Sequence, residues 1–190
     1  MTLRPALPDY KPRPGDIILV PFAGPIGWLI TLLQAVVAGD PSRYSHAAVV
    51  IDSEWAVQAT FPRAEIAPLS ELLARTPCAV LVVPPDADYL RPRIVEAALG
   101  MVGVRYQFAA YLYIGLAKLR IRPRWLLRLL ASRAALICSA LADRAWADAG
   151  LHCFTDGRPF GAVTPGDLAH VGWTLHVNTG PWIEDGTGVV

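Results

Sequence analysis

The stretch 45-SHAAVVIDSEWAVQATF-61 holds two β-rich runs, 45-SHAAVVID-52 and 55-WAVQATF-61, on either side of the polar triplet Asp52-Ser53-Glu54. Apolar, β-branched and aromatic residues flanking a short polar break predict a hairpin. The loop length decides what the hairpin presents. With a three-residue loop, Ile51 faces Trp55 and Ala48 faces Gln58, and His46 and Gln58 then share one face as diagonal neighbours within side-chain reach. A two-residue loop would turn Gln58 to the opposite face and separate the two.

Working outward, 15-GDIILVPF-22 is a short buried strand opened by Gly15-Asp16 and closed by Pro21, and 78-CAVLVVPP-85 is a further buried strand. Between them, 26–38 is apolar at mixed spacing and predicts a helix that Asp40-Pro41-Ser42 breaks, and 66-IAPLSELLART-76 predicts a short helix from Ser70. From Arg91 the pattern turns helical: 91-RPRIVEAALGMVG-103, 107-QFAAYLYIGLAKLRI-121, 124-RWLLRLLAS-132 and 136-LICSALADRAWADAG-150. The last of these should end at Gly150 and pack its Leu141, Ala145 and Trp146 side inward. The tail 163-VTPGDLAHVGWTLHV-177 gives a turn or helix start at Pro165-Gly166-Asp167 and then a strand. Strands, then helices, then a last strand imply a single α+β domain over 15–190, an antiparallel sheet against helices, after a proline-rich lead-in at 1–14.

The 190 residues suffice for one domain with a sizeable core. A hydrophobic content of 54% is high for a soluble protein, yet the best apolar run, 26-IGWLITLLQAVVAG-39, falls short of the roughly 20 residues a bilayer span needs. The first residues carry prolines and charges where a signal peptide needs an apolar core, so no export signal is expected and the expected location is cytoplasmic. Three cysteines, Cys78, Cys138 and Cys153, without CxxC spacing argue against a disulfide framework. The net charge of +1 conceals a segment, Ala97 to Ala142, with seven basic residues and no acidic one, against 10 basic and 16 acidic residues elsewhere. Its core, 107–133, is also rich in Leu, Ile, Tyr and Trp, which suits a membrane surface at the inner face better than nucleic acid. A half-buried helical hairpin with its arginines reaching for water explains the same pattern.

Chemistry centres on Cys138, at the start of its helix. A free cysteine is usually a small buried hydrophobe, but a helix N-terminus and a neighbouring imidazole both favour the reactive thiolate. His46, heading a core strand, is the imidazole best placed to serve, although a histidine there is commonly a structural hydrogen-bonding residue. A Cys–His pair needs a third group to fix the ring tautomer. Gln58 fits by strand parity, whereas Asp52 and Glu54 suit solvated turn positions. His152-Cys153, with Cys78 and His170 far off in sequence, lacks zinc-ligand spacing, so no metal is expected, and no cofactor or nucleic-acid motif is evident.

These residues resemble the permuted branch of the NlpC/P60 papain-like superfamily, with YiiX-type proteins and, more remotely, the lecithin:retinol acyltransferases. The resemblance rests on Gly15-Asp16-Ile17-Ile18, Ser45-His46, "VQA" at 57–59, Tyr106, "CSAL" at 138–141 and "TPGDLA" at 164–169. It implies a circularly permuted papain-like fold in which the histidine strand precedes the cysteine helix. Carried across, Cys138 is the nucleophile, His46 the general base, and the backbone N–H groups of Cys138 and Ser139 help bind the oxyanion. Tyr106 and Tyr44 line the substrate cleft. Gln58 stands where relatives often have a glutamate, and "CSAL" replaces the commoner "CSEL". The expected function is a cysteine hydrolase or acyl-transfer enzyme acting on a peptide amide or lipid acyl group. The alternative is a non-catalytic papain-fold module that binds lipid or peptide at a membrane surface.

Overall fold

The computed structural model describes residues 10–22, 42–106 and 135–178. Three short apolar runs, buried along their whole length, form inner strands of a sheet: β1 (Ile17–Val20), β2 (His46–Val50) and β5 (Cys78–Leu81). Around them lie β3 (Trp55–Ala59), β4 (Ala64–Pro68) and β8 (Thr174–Asn178), in the order β4-β3-β2-β1-β5-β8. Every pairing within this sheet is antiparallel.

Both faces of the sheet are covered. Ile17, Leu19, Ala47, Val49, Val57 and Leu81 pack in one core cluster with residues of α2 (Arg91–Leu99) and α3 (Cys138–Ala149). Ile18, Val20, Ala48, Val50, Ala56 and Val80 form a second cluster with Leu69 and Leu72 of α1 (Leu69–Leu73). Alternation along each strand produces this division, and it explains why the central strands read as continuous apolar runs rather than as alternating ones.

Helix α3 buries Leu141, Ala145 and Trp146, the side the sequence points inward. It closes at Gly150, whose φ of 98° is the left-handed conformation that glycine adopts without a Cβ penalty. The Trp146 indole N–H donates to the Gly15 carbonyl at 2.8 Å, tying the helix to the turn that opens β1. The tail forms α4 (Pro165–Ala169), where Thr164 and Asp167 complete a capping box, and then β8.

Three features depart from the sequence reading. The segment read as leading into a helix at Ser70 first forms the edge strand β4, and α1 starts at Leu69. The helix expected over 91–103 stops at Leu99, and the chain turns through Gly103 at φ 85°. A short parallel pair, β6 (Arg105–Tyr106) with β7 (Ala135–Leu136), has no counterpart in the sequence reading. The helices expected over 26–38, 107–121 and 124–132, and with them the basic segment 107–133, lie outside the described residues. Among the described residues no helix is long and apolar enough to cross a membrane.

Candidate active site

The β2–β3 hairpin has the three-residue loop. Asp52 Oδ1 accepts from the N–H groups of Glu54 and Trp55, both at 2.8 Å, a turn that aspartate makes readily. The resulting register pairs Ala48 with Gln58, so His46 lies diagonally across from Gln58 on the same face. The two side chains meet: His46 Nε2 is 2.7 Å from Gln58 Oε1. Since an amide oxygen only accepts, Nε2 carries the proton and Nδ1 is left with the lone pair. The Phe22 ring meets the His46 ring in an edge-to-face contact, with centroids 5.0 Å apart.

His46 is buried, with 1% of its surface exposed. Burial is the main reason its pKa falls to about 4; the bond to Gln58 opposes that shift and the positive charge of Arg75 adds to it. The imidazole is therefore neutral at neutral pH, the state in which Nδ1 can accept a proton.

The side chain of Gln58 also reaches a residue that sequence reasoning did not single out. Its Nε2 donates to Glu65 Oε1 at 3.2 Å, and the Thr60 hydroxyl donates to the same oxygen at 2.9 Å. Glu65 is the register partner of Gln58 on β4. Missing β4 meant missing Glu65, because nothing else in the sequence brings position 65 beside position 58.

Cys138 is the first residue of α3 and is also buried, 1% exposed. Ile137 before it is extended and offers no side-chain cap. The N–H groups of a helix's first turn have no acceptor within the helix. The Ser139 hydroxyl is committed elsewhere, donating to the Val163 carbonyl at 2.6 Å. The Cys138 thiol contacts the Ser45 carbonyl at 3.9 Å, which sets it at the leading end of β2, one residue before His46.

Strand alternation adds a geometric condition. His46 pairs with Val20, a member of the α1-side cluster, while Cys138 belongs to the cluster on the other face. By alternation the His46 ring and the Cys138 thiol belong to opposite faces of the sheet, so a thiol–imidazole contact would have to be made around the end of β2. Tyr106 is half-buried against the core cluster that contains Cys138, and β6 sets it beside Leu136 of β7, two residues before Cys138. Tyr44 is 6% exposed and belongs to that same core cluster, and burial pushes its phenol up to about 12.

Elsewhere, Asp143 on α3 is pushed up to about 6 by burial, while its hydrogen bond from Cys153 and the nearby His152 and Arg158 pull it down. Among the described residues no group of three or more His, Cys, Asp or Glu side chains is arranged to hold a metal ion.

No family model matches the chain, and no curated protein does. Among solved structures it is similar to the crystal structure of the metalloprotein yiiX from Escherichia coli O157:H7, a DUF1105 protein, with a TM-score of 0.61 and 15% identity over 90% of this chain and 99% of that one. At that identity the likeness establishes the fold: the chain has a YiiX-like α+β fold, with its sheet antiparallel and its helices packed on both faces.

Proposed function

We propose that this protein is a permuted papain-like cysteine hydrolase or acyl-transfer enzyme in which Cys138 is the nucleophile, His46 the base and Gln58 the residue that orients the base. The observation that carries this reading is the 2.7 Å bond between His46 Nε2 and Gln58 Oε1, because it leaves the lone pair on Nδ1, while the thiol contacts the carbonyl of Ser45, the residue before His46. The YiiX-like fold is consistent with this reading, and in this chain the histidine strand precedes the cysteine helix.

In the proposed reaction Nδ1 takes the thiol proton as Sγ bonds to the carbonyl carbon of an amide or ester, and the carbonyl π electrons move onto oxygen. In this reading the backbone N–H groups of Cys138 and Ser139, at the start of α3, supply the hydrogen bonds to that charge. The carbonyl re-forms as the bond to the leaving amine or alcohol breaks, and His46 returns the proton to that group. Water or an acceptor alcohol or amine, deprotonated by His46, then attacks the acyl-enzyme and frees the thiol. The structural neighbour is described as a metalloprotein, but the described residues here do not form a three-ligand set, and no step passes through a metal.

The second reading is a non-catalytic module of the same fold that binds lipid or peptide. The burial of both Cys138 and His46 favours it, because a thiolate–imidazolium pair gains nothing from desolvation. In either reading, the basic segment 107–133 is the proposed contact with a membrane surface.

Labelling with an activated acyl ester, followed by peptide mapping, separates the two. Burial pushes the Cys78 thiol up to about 11 and raises that of Cys153 as well, so these two cysteines are slow internal references. The enzyme reading expects Cys138 to be acylated well ahead of both and His46→Ala to abolish the difference. Equal labelling of the three thiols, unchanged by His46→Ala, would leave the binding module.

A further inference from the structure

A glutamine is an ambiguous partner for a catalytic histidine. Its two ends are almost the same size, and rotating the amide half a turn would present N–H groups to His46 Nε2 instead of the oxygen. The ring would then have to carry its proton on Nδ1, and the base would be lost. Something beyond the amide must select the orientation.

Glu65 is built to do so. A carboxylate only accepts hydrogen bonds, and Glu65 Oε1 already takes one from Thr60 at 2.9 Å and one from Gln58 Nε2 at 3.2 Å. With the amide reversed, Gln58 Oε1 would face that carboxylate oxygen, two acceptors in contact. The three side chains form a line across neighbouring strands, from Glu65 on β4 through Gln58 on β3 to His46 on β2. Gln58 and Glu65 are direct cross-strand partners, so the line is fixed by register and not by a loop.

We propose that Glu65 is a positioning residue that, through the Gln58 amide, holds His46 in the Nε2–H tautomer and so keeps Nδ1 available as the base. The charge that would otherwise lie directly on the imidazole is thereby set one strand further out and relayed by a neutral amide. This rests on His46 being the base, but the tautomer itself is measurable whether or not the protein is an enzyme.

The experiment is 15N NMR of the histidine side chains in the full chain, assigned with His46→Asn, for wild type, Glu65→Leu and Glu65→Gln. Wild type should give a pyridine-type Nδ1 and a pyrrole-type Nε2. Glu65→Leu, an exposed position on an edge strand, should lose that pure state and move Nδ1 towards the pyrrole type. Glu65→Gln can still accept from Gln58 and should retain most of the original tautomer. Acylation of Cys138 should fall in proportion to the lost Nε2–H population. A wild-type His46 tautomer that persists unchanged in Glu65→Leu overturns the proposal. Failure of Cys138 to acylate in wild type, with the tautomer shift still present, overturns the enzymatic reading and leaves the positioning role intact.

Discussion

The Arg91 guanidinium lies 2.9 Å from the carboxylate of Asp16, a residue with no exposed surface. Asp16 also accepts from the Tyr10 hydroxyl at 2.7 Å and from the backbone N–H groups of Arg13 and Val83, at 2.8 and 3.0 Å. One carboxylate thus joins the entry to β1, the end of β5 and the first turn of α2. Removing one partner of a buried ion pair leaves the other charge uncompensated, at a cost of about 3–5 kcal/mol. Arg91→Met should lower the unfolding free energy by that amount, as measured by urea denaturation. Equal stability of Arg91→Met and wild type would show the pair to be dispensable.

The Gly15-Asp16 dipeptide was legible in the sequence as the opening of a strand, but its connections were not, because Arg91 and Val83 are distant along the chain. The hairpin shows the same boundary from the other side. The polar triplet Asp52-Ser53-Glu54 allowed a three-residue or a two-residue loop, and only the three-residue loop, the one the register shows, sets His46 and Gln58 on one face. Strand β4 escaped because AEIAP does not alternate: Glu65 and Ile66 are both exposed, and the strand sits at the sheet edge beside prolines. Propensity reasoning saw only the helix that follows. The approach of Cys138 to Ser45 is likewise a tertiary fact, and no local pattern encodes which end of β2 the helix meets.

The link between α3 and the opening turn gives a second prediction. Trp146 is 2% exposed, and its indole N–H donates to the carbonyl of Gly15. Trp146→Phe removes the donor, leaves that carbonyl without this partner, and opens space where the larger ring sat. A loss of roughly 2–4 kcal/mol follows from the unmet acceptor and the cavity together. Thermal unfolding with Trp146→Phe should show the drop. An unchanged melting temperature would mean that the helix is held without this bond.

The capping box of α4 gives a smaller effect. The Thr164 hydroxyl accepts from the Asp167 N–H at 3.1 Å, and Asp167 Oδ2 accepts from the Thr164 N–H at 2.8 Å. Asp167 is also paired with Arg158 at 3.1 Å. Thr164→Ala should cost about 1 kcal/mol, the usual value of such a cap, and hydrogen exchange should quicken in α4 before it does in α3. Uniform exchange across both helices would contradict this local origin.

Acid should act on stability through two buried groups with opposite signs. Burial lowers the His46 pKa to about 4, so between there and the ordinary histidine value the unfolded chain binds a proton that the folded chain does not. Stability from this group falls as pH drops from about 6.5 towards 4. Burial raises the Asp143 pKa to about 6, so from there down to the ordinary carboxylate range the folded chain holds a proton that the unfolded chain releases. Stability from Asp143 rises over much of the same interval, and the two slopes offset each other. Asp143→Asn removes the compensating group and should steepen the acid loss between pH 6 and 4, by on the order of 1–3 kcal/mol relative to wild type. His46→Gln should tilt the curve the other way. Urea denaturation at pH 7, 6, 5 and 4 on the three proteins reads both slopes, and three parallel curves would mean that neither group titrates between the folded and unfolded states as its burial requires.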